Sequence, residues 1–445
     1  MKTSCTNLIV IFFFIIFITS STYSLYTRDF FVDEVISFKI VSTLPFATIL
    51  SGVDVHPPLY YLAIKLLPHK TIYQIRLISL LLMITAIGLL YYYTKEIYGN
   101  NISSITTIII LLSSTINKYG TEARMYSLLF LLSVIIYYTF HKKHYILTSL
   151  LICLSLLIHY YSIFLFIPFL ITLLITEKKN ATPIIIFTIV SLLILSPLLG
   201  YLIHNQLTDN PYKINPPSEP PALISIPSFF LFPFALPSEL SPVLIILAFI
   251  IIILSIYLIA FQYHDLSQQS YLYTITSILT MIFIFILSFF IPYHHRYLII
   301  LFPPFYIAIG KTLTQVKPYL SMSFLILLII FFYSHLNYHE NKFQLISAQI
   351  KQYPNYPNIN ILHETPFSFL PLSVYLPDSS HYIAPLVSVS TVPTDWAITY
   401  QALYTRPSHV NNPNISYNIY IHYFDTPRAF NYTNNSSNLT YIKVE

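Results

Sequence analysis

Long apolar runs separated by short polar segments run through most of the chain. A hydrocarbon core about 30 Å thick needs about 20 apolar residues per helix. On that measure the pattern predicts these spans: 7–25, 74–93, 102–118, 125–140, 145–160, 162–176, 183–201, 241–261, 271–291, 297–310 and 319–335. The pattern therefore predicts an all-α polytopic membrane protein with about eleven transmembrane helices in residues 1–335. Residues 336–445 lack such a run and form a tail or small domain.

Composition points the same way. The chain is 56% hydrophobic and 9% charged, with a mean hydropathy of +0.67, whereas an average soluble domain is about 25% charged. The net charge of +5 is spread thinly, so nucleic acid is not an expected partner. Six glycines exclude a Gly-rich nucleotide-binding loop. Cys5 and Cys153 lie far apart in apolar stretches, which excludes a disulfide framework or a cysteine metal cluster.

The predicted loops alternate between short and long. Basic residues occur on both sides, so their raw count does not decide the orientation. Paired lysines in short loops on one side, with the long loops on the other, predict an inside N-terminus. The first outer loop (26–73), the Pro-rich loop (202–240) and the tail (336–445) are then extracytoplasmic. Residues 1–25 also resemble a signal peptide, but we expect a retained anchor that holds the first loop at the membrane.

Acidic residues concentrate in the first outer loop. Four of the 17 acidic residues lie there: Asp29, Asp33, Glu34 and Asp54. Segments 30–40 and 44–50 have helix-compatible patterns, and the double proline at 57–58 breaks the chain before it returns to the second span. An ionised carboxylate between two membrane spans usually has a function.

The order of residues in this loop resembles a known family. Asp33-Glu34 is followed about 20 residues later by Asp54-x-His56-Pro-Pro-Leu-Tyr-Tyr. This arrangement resembles the polyprenyl-phosphate-sugar-dependent glycosyltransferases of the GT-C superfamily, which include protein O-mannosyltransferases, aminoarabinose transferases of lipid A and Rgt-type transferases. The resemblance implies that Asp33 is the catalytic base and that Glu34 tunes or positions it. Asp54 and His56 either bind a divalent metal ion, order the donor phosphate or form a structural turn.

Further blocks at the ends of later spans continue the resemblance. Glu122-x-Arg124-x-Tyr126 is similar to the family's (Q/E)-x-R-x-Y segment, and Arg124 can pair bidentately with a donor phosphate or snorkel at the interface. The Arg296-Tyr-Leu segment resembles the family's late Arg-Tyr-Leu…Pro pattern, with Arg296 at the phosphate or lipid headgroup. His159-Tyr-Tyr is either a pocket wall, a phosphate contact or part of an aromatic belt. The predicted topology places all these blocks at the outer face.

The resemblance covers residues 26–310 and implies a GT-C helical bundle. It implies an inverting hexosyl- or pentosyltransferase of the cell membrane. The sugar would move from a polyprenyl (dolichyl-type) phosphate to an acceptor hydroxyl of a glycan, lipid or protein on the extracytoplasmic face. No cofactor is certain, and a divalent metal ion is a candidate. The alternatives are a transporter or lipid flippase, for which charges near the middle of the membrane are expected, and a non-catalytic scaffold, which leaves the first loop unexplained.

Overall fold

Helices account for most of the described chain. The computed structural model describes residues 2–54, 56–68, 70–208, 232–234, 268–287, 295–337, 342–352, 356–363, 366–383, 419–422 and 440–443. The helices up to the second long loop are α1 (Lys2–Thr27), α2 (Val32–Thr43), α3 (Phe46–Leu50), α4 (Leu59–Lys65), α5 (Ile72–Tyr98), α6 (Asn100–Leu111), α7 (Ser114–Gly120), α8 (Tyr126–His141), α9 (Tyr145–Leu156), α10 (Phe166–Thr176) and α11 (Lys178–Thr208). The later ones are α12 (Gln268–Leu287), α13 (Phe302–Gln315), α14 (Pro318–Asn337), α15 (Lys342–Ile350) and α16 (Pro366–Tyr375). Two 3₁₀ helices, Tyr160–Leu165 and His295–Leu301, precede α10 and α13.

The spans predicted at 7–25, 74–93, 125–140, 183–201 and 319–335 coincide with α1, α5, α8, α11 and α14, and the described part of 271–291 lies in α12. The span predicted at 102–118 is divided between α6 and α7, the one at 145–160 extends beyond the end of α9, and those at 162–176 and 297–310 begin in the 3₁₀ helices before α10 and α13. The span predicted at 241–261 lies outside the described residues. Within the described part, five helices are long and apolar enough to cross a bilayer, and five shorter apolar helices accompany them. The chain is therefore a multi-pass membrane protein whose membrane part is helical.

Helix boundaries follow local sequence signals. The Thr71 side chain accepts a hydrogen bond from the Gln74 N–H, and the Gln74 side chain accepts one from the Thr71 N–H, so a capping box begins α5. At the other end of α5, Gly99 adopts φ 84°, a conformation that glycine reaches without strain. The chain then reverses directly into α6. Short polar turns thus arrange consecutive helices as neighbours.

Contacts between loops define two ends of the bundle. At the upper end, Arg28 reaches the Lys118 carbonyl, and the Leu59 N–H donates to the Leu157 carbonyl over 3.0 Å. At the lower end, Lys143 pairs with Glu177 over 2.6 Å. Helix α8 runs from one end to the other. Among the described residues, the predicted outer segments 26–73 and 119–124 and the turn near 161 meet at the upper end, and the predicted inner segments 94–101, 141–144 and 177–180 meet at the lower end.

The first loop is folded, as predicted. It contains α2, α3 and α4, and α2 buries Val35, Ile36 and Ile40. The chain enters α2 from extended backbone at Phe31, whose N–H donates to a Glu34 carboxylate oxygen. This contact stabilises the first turn of α2, which contains Asp33 and Glu34.

The C-terminal segment forms a small unit that contains a sheet. Four strands, β1 (Asn360–His363), β2 (Ser380–Ile383), β3 (Ile419–His422) and β4 (Thr440–Lys443), pair in parallel in the order β2-β1-β3-β4. Helices α15 and α16 pack with β1 around a separate apolar core that includes Ile350, Ile361 and Leu372. The sequence predicted a tail or small domain here but not its strands.

This C-terminal unit rests on the first loop. The Asp29 carboxylate accepts hydrogen bonds from the N–H groups of Phe343 and Gln344 over 2.8 and 3.1 Å, at the start of α15. Tyr375 of α16 donates its hydroxyl proton to Asp29 over 3.2 Å and stacks on Phe30, with ring centroids 4.7 Å apart. One acidic residue therefore joins the C-terminal unit to the segment that leads into α2.

Part of the Pro-rich loop predicted at 202–240 is also placed. Residues 202–208 continue α11, and residues 232–234 lie inside the bundle with Phe232 and Phe234 buried. Their backbone carbonyls accept hydrogen bonds from side-chain hydroxyls at Ser113, Thr115 and Tyr306. The rest of that predicted loop lies outside the described residues.

Candidate active site

Two arginines converge on one carboxylate at the upper end. Arg296 Nη1 lies 2.9 Å from Asp33 Oδ2, and Arg124 Nη2 lies 3.8 Å from the same oxygen. Asp33 stands in the first turn of α2, Arg124 just before α8, and Arg296 in the 3₁₀ turn before α13. The Asp33 and Arg124 residues are buried. Three segments distant in sequence therefore bring their charges to one place.

Glu34 sits beside Asp33 but faces a different partner. Arg76 donates from Nε to Glu34 Oε1 over 2.8 Å and from Nη2 to Oε2 over 2.6 Å. The Ala123 N–H donates to Oε1 over 2.8 Å, and Arg28 lies 3.6 Å away. Burial raises the pKa of Glu34, but Arg76, assisted by Arg28 and Ala123, outweighs burial and lowers that pKa to about 2. Both carboxylate oxygens of Glu34 therefore accept hydrogen bonds.

Arg76 connects this carboxylate to the backbone. It is completely buried and also donates to the carbonyls of Leu25, Arg28 and Asp29 at the end of α1. Because Glu34 adjoins Asp33 and Ala123 adjoins Arg124, the Arg76–Glu34 pair fixes both neighbours of the candidate site at once.

Arg124 is held by several oxygens. Its Nη1 donates to Ser37 Oγ over 3.1 Å, to the Asp33 carbonyl over 3.3 Å and to Tyr61 Oη over 3.4 Å. Tyr61 in turn donates its hydroxyl proton to the Asp54 carboxylate. Asp54 therefore reaches the site through Tyr61 and Arg124.

Aromatic rings form another wall of the site. His159 lies 4.5 Å from Tyr297 and 4.9 Å from His56 between ring centroids. Arg296 lies over the faces of Tyr126 and Tyr297, 5.7 and 5.9 Å from their centroids, a geometry in which the ring stabilises the cation. The wall thus combines two histidines with the second arginine.

His159 is neutral and has a defined tautomer. In the turn between α9 and the 3₁₀ helix, its Nδ1 accepts a hydrogen bond from the Tyr161 N–H over 3.1 Å. Burial, then the charges of Arg124 and Arg296, lower the pKa of His159 to about 3. A neutral ring that accepts at Nδ1 carries its proton at Nε2. His159 Nε2 is therefore a donor.

Three buried N–H donors of the site lack acceptors within the described part of the chain. Arg124 Nε, Arg296 Nε and His159 Nε2 have no hydrogen-bond acceptor among the described residues. Burying such donors without acceptors is costly. A ligand with several anionic oxygens supplies acceptors for all three.

The metal, phosphate and structural-turn alternatives for Asp54 and His56 stay predictions. Among the described residues no three His, Cys, Asp or Glu side chains are grouped as metal ligands, and Asp54 accepts the Tyr61 hydroxyl proton. His56 packs against His159. The other predicted residues, Asp33, Arg124, Arg296 and His159, come together at this site, while Glu34 turns toward Arg76.

Three members of the site were given no role on sequence alone. Arg76 lies near the start of an apolar span, and an arginine in such a span is itself a functional signal. Tyr61 closes the Asp54 motif, and Tyr297 follows Arg296 directly. Because the chain has 39 tyrosines, composition alone does not indicate that Tyr61 and Tyr297 belong to the site.

Comparison with known proteins agrees with this fold. The family profile described as Dolichyl-phosphate-mannose-protein mannosyltransferase matches residues 55–201. The crystal structure of ArnT from Cupriavidus metallidurans in the apo state is similar with a TM-score of 0.61 at 11% identity, covering 91% of this chain and 89% of ArnT. The same protein bound to undecaprenyl phosphate gives 0.60 at 12% identity, covering 90% and 88%. No curated protein sequence matches the chain.

The fold is therefore that of a GT-C membrane protein, with folded loops and a C-terminal unit at the upper end of a helical bundle. The family profile matches only residues 55–201, and together with the shared fold it agrees with the resemblance to GT-C glycosyltransferases seen in the sequence.

Proposed function

We propose that this chain transfers a sugar from a polyprenyl-phosphate-linked donor to an acceptor hydroxyl, with Asp33 as the base. The observation that carries the proposal is the group of unspent N–H donors on Arg124, Arg296 and His159 beside the Asp33 carboxylate. Two arginines and a neutral histidine donor match the several oxygens and negative charge of a phosphate. The ArnT structure that contains undecaprenyl phosphate supports the same class of donor.

In this proposal each residue has a distinct task. Arg124 and Arg296 hold the donor phosphate, and His159 donates to a further phosphate oxygen. Asp33 accepts the acceptor hydroxyl proton while the acceptor oxygen attacks the anomeric carbon. The phosphate leaves from the opposite side of that carbon, which inverts its configuration. Glu34 positions Asp33, and Asp54 positions Arg124 through Tyr61.

The proposal also assigns the two parts of the chain. Residues 1–335 form the membrane-embedded catalytic part, and residues 336–445 form an extracytoplasmic unit. The acceptor enters from the upper end, where the C-terminal unit rests on the first loop. The donor enters sideways from the bilayer, because its polyprenyl chain stays in the hydrocarbon.

The test is turnover of lipid-linked sugar by purified protein. Detergent-solubilised full-length chain is incubated with a panel of radiolabelled polyprenyl-phosphate sugars and with glycan, lipid and peptide acceptors. We expect release of polyprenyl phosphate from one donor class. Asp33→Asn is expected to lower the rate about 10²- to 10⁴-fold, the range typical of general-base catalysis, while Asp378→Asn, an exposed position in the C-terminal unit, keeps it.

Two outcomes contradict the proposal. Activity of Asp33→Asn above about a tenth of the wild type removes Asp33 as the base. If the solubilised protein turns over no donor but reconstituted vesicles move a lipid or solute across the bilayer, the chain transports rather than transfers.

A further inference from the structure

The two arginines at Asp33 are held in different ways. Arg124 is fixed by Ser37 Oγ, by Tyr61 Oη and by the Asp33 carbonyl. In the described part of the chain, Arg296 contacts the Asp33 carboxylate and the ring faces of Tyr126 and Tyr297. Ring faces stabilise a cation without fixing the direction of its N–H groups. Arg296 is therefore the arginine that can transfer its ion pair from one anion to another.

Charge moves between two groups during the proposed reaction. A proton passes from the acceptor hydroxyl to an Asp33 oxygen, which turns this carboxylate into a neutral acid. The acceptor oxygen bonds to the anomeric carbon, and the bonding electrons of the carbon–phosphate oxygen bond stay on the phosphate. The phosphate begins as a diester with one negative charge and ends as a monoester with two. One negative charge has thus left Asp33 and one has arrived on the phosphate.

We infer that Arg296 is shared between the base and the leaving phosphate. Its ion pair with Asp33 weakens as Asp33 takes the proton, at the moment when the phosphate gains its second charge. The interaction of Arg296 with the phosphate is then stronger in the transition state than in the bound ground state, and only such a difference accelerates the chemical step. This inference rests on the proposed function and adds a coupling between proton transfer to Asp33 and departure of the phosphate.

The coupling predicts an effect on binding that needs no turnover. Asp33→Asn has the size of aspartate and the charge of its protonated form, so Arg296 becomes fully available to phosphate. Undecaprenyl phosphate, a monoester, is expected to bind Asp33→Asn about ten-fold more tightly than the wild type, a change of about 1.4 kcal/mol. Undecaprenyl methyl phosphate, a diester with one charge, should gain less. Affinity is measured at pH 8 on full-length protein in detergent, from the thermal stabilisation that each lipid produces.

Matched variants separate the possible results. Asp33→Asn combined with Arg296→Gln is expected to show no gain in affinity for the monoester. Asp378→Asn is expected to bind the monoester as the wild type does. Asp33→Ser also removes the charge and repeats the test if the asparagine variant does not fold. An unchanged or weaker monoester affinity in the charge-removed variants, with wild-type binding intact, overturns the sharing of Arg296 and leaves the proposed function standing. Failure of the wild type to bind either lipid contradicts the proposed function itself.

Discussion

Neighbouring acidic residues in α2 have opposite surroundings. Glu34 accepts hydrogen bonds from Arg76, Ala123 and Phe31 and lies wholly within protein. Asp33 faces two arginines that keep unspent donors. A satisfied buried ion pair sets geometry, whereas unsatisfied buried donors mark a place for a ligand. Glu34 therefore holds the structure and Asp33 faces the proposed ligand, because successive side chains of a helix point about 100° apart.

The buried pair makes a stability prediction. Glu34→Gln leaves Arg76 as an uncompensated buried charge, which typically costs about 3–5 kcal/mol. We expect a large fall in the melting temperature of the protein in detergent. Because the pKa of Glu34 is lowered from 4.5 to about 2 in the folded chain, the difference from wild type is full above pH 4.5 and shrinks as the pH falls toward 2.

The control for this prediction is Glu177→Gln, which breaks the exposed pair with Lys143 at the lower end. Exposed pairs contribute little, so this variant should melt like the wild type. Equal melting temperatures for Glu34→Gln and Glu177→Gln would show that the Arg76–Glu34 pair does not hold the upper end together.

Sequence alone located most of the candidate site at this scale, for a physical reason. Asp33 belongs to an acidic cluster in the loop between the first two spans, and Arg124, His159 and Arg296 lie next to the end of an apolar run, so each charge or imidazole contrasts with its surroundings. Sequence could not predict that Glu34 pairs with Arg76, 42 residues away. That pairing depends on how α2 lies across the start of α5, which no local pattern encodes.

At the scale of elements, one glycine allows a close helix crossing. Helices α6 and α13 pack together, and a Cβ at Gly310 would overlap Thr106 Oγ1 and lie 3.0 Å from Thr106 Cα. With only six glycines in the chain, bulky side chains make most of the contacts between helices. Gly310 is an exception, because small residues let helix backbones approach closely in a membrane.

Gly310→Ala is expected to destabilise the bundle by about 1–3 kcal/mol, the usual cost of overpacking. Thr106→Ala in the same chain should restore part of the loss, because it removes the overlapping hydroxyl. The measurement is thermal unfolding in detergent. Gly88→Ala is the control, since nothing lies within 4 Å of a Cβ there, and its melting temperature should not fall. A wild-type melting temperature for Gly310→Ala would mean that the helices can separate freely at this crossing.

The contact between the C-terminal unit and the first loop gives a second prediction at this scale. Asp29 accepts two N–H groups at the start of α15 and the Tyr375 hydroxyl proton. Asp29→Asn replaces one acceptor oxygen with a donor and removes the charge that favours a helix N-terminus. Losing such a cap costs about 1 kcal/mol.

We expect amide hydrogen exchange in residues 342–352 of Asp29→Asn to become several-fold faster, roughly in line with that cost, while α5 and α8 exchange as in the wild type. Exchange measured by mass spectrometry on the solubilised chain tests this directly. Unchanged exchange in 342–352 would mean that other contacts hold α15 and that Asp29 is dispensable for docking.

At the scale of the whole molecule, the site exists only in the assembled bundle. Its residues come from α2, α4 and α5, from the loop before α4, and from the turns before α8, α10 and α13. Hydropathy predicted the helices well because a bilayer requires long apolar runs. It could not predict the C-terminal sheet, whose strands are four residues long and lie among Pro, Asn and Ser. Short strands carry too little periodicity for recognition, and parallel pairing joins residues far apart in sequence.

The two ends of the bundle make a final prediction about orientation. The lysine pattern of the short loops predicts the lower end inside and the upper end outside. Asp378, exposed in the C-terminal unit, belongs to the upper end, and Lys143, also exposed, belongs to the lower end. In a chain with Cys5 and Cys153 replaced by serine, a membrane-impermeant maleimide should label Asp378→Cys in intact cells. It should label Lys143→Cys only after the membrane is permeabilised. The reverse labelling pattern would put the carboxylate and both arginines on the cytoplasmic face, and the donor and acceptor would then have to be sought on that side.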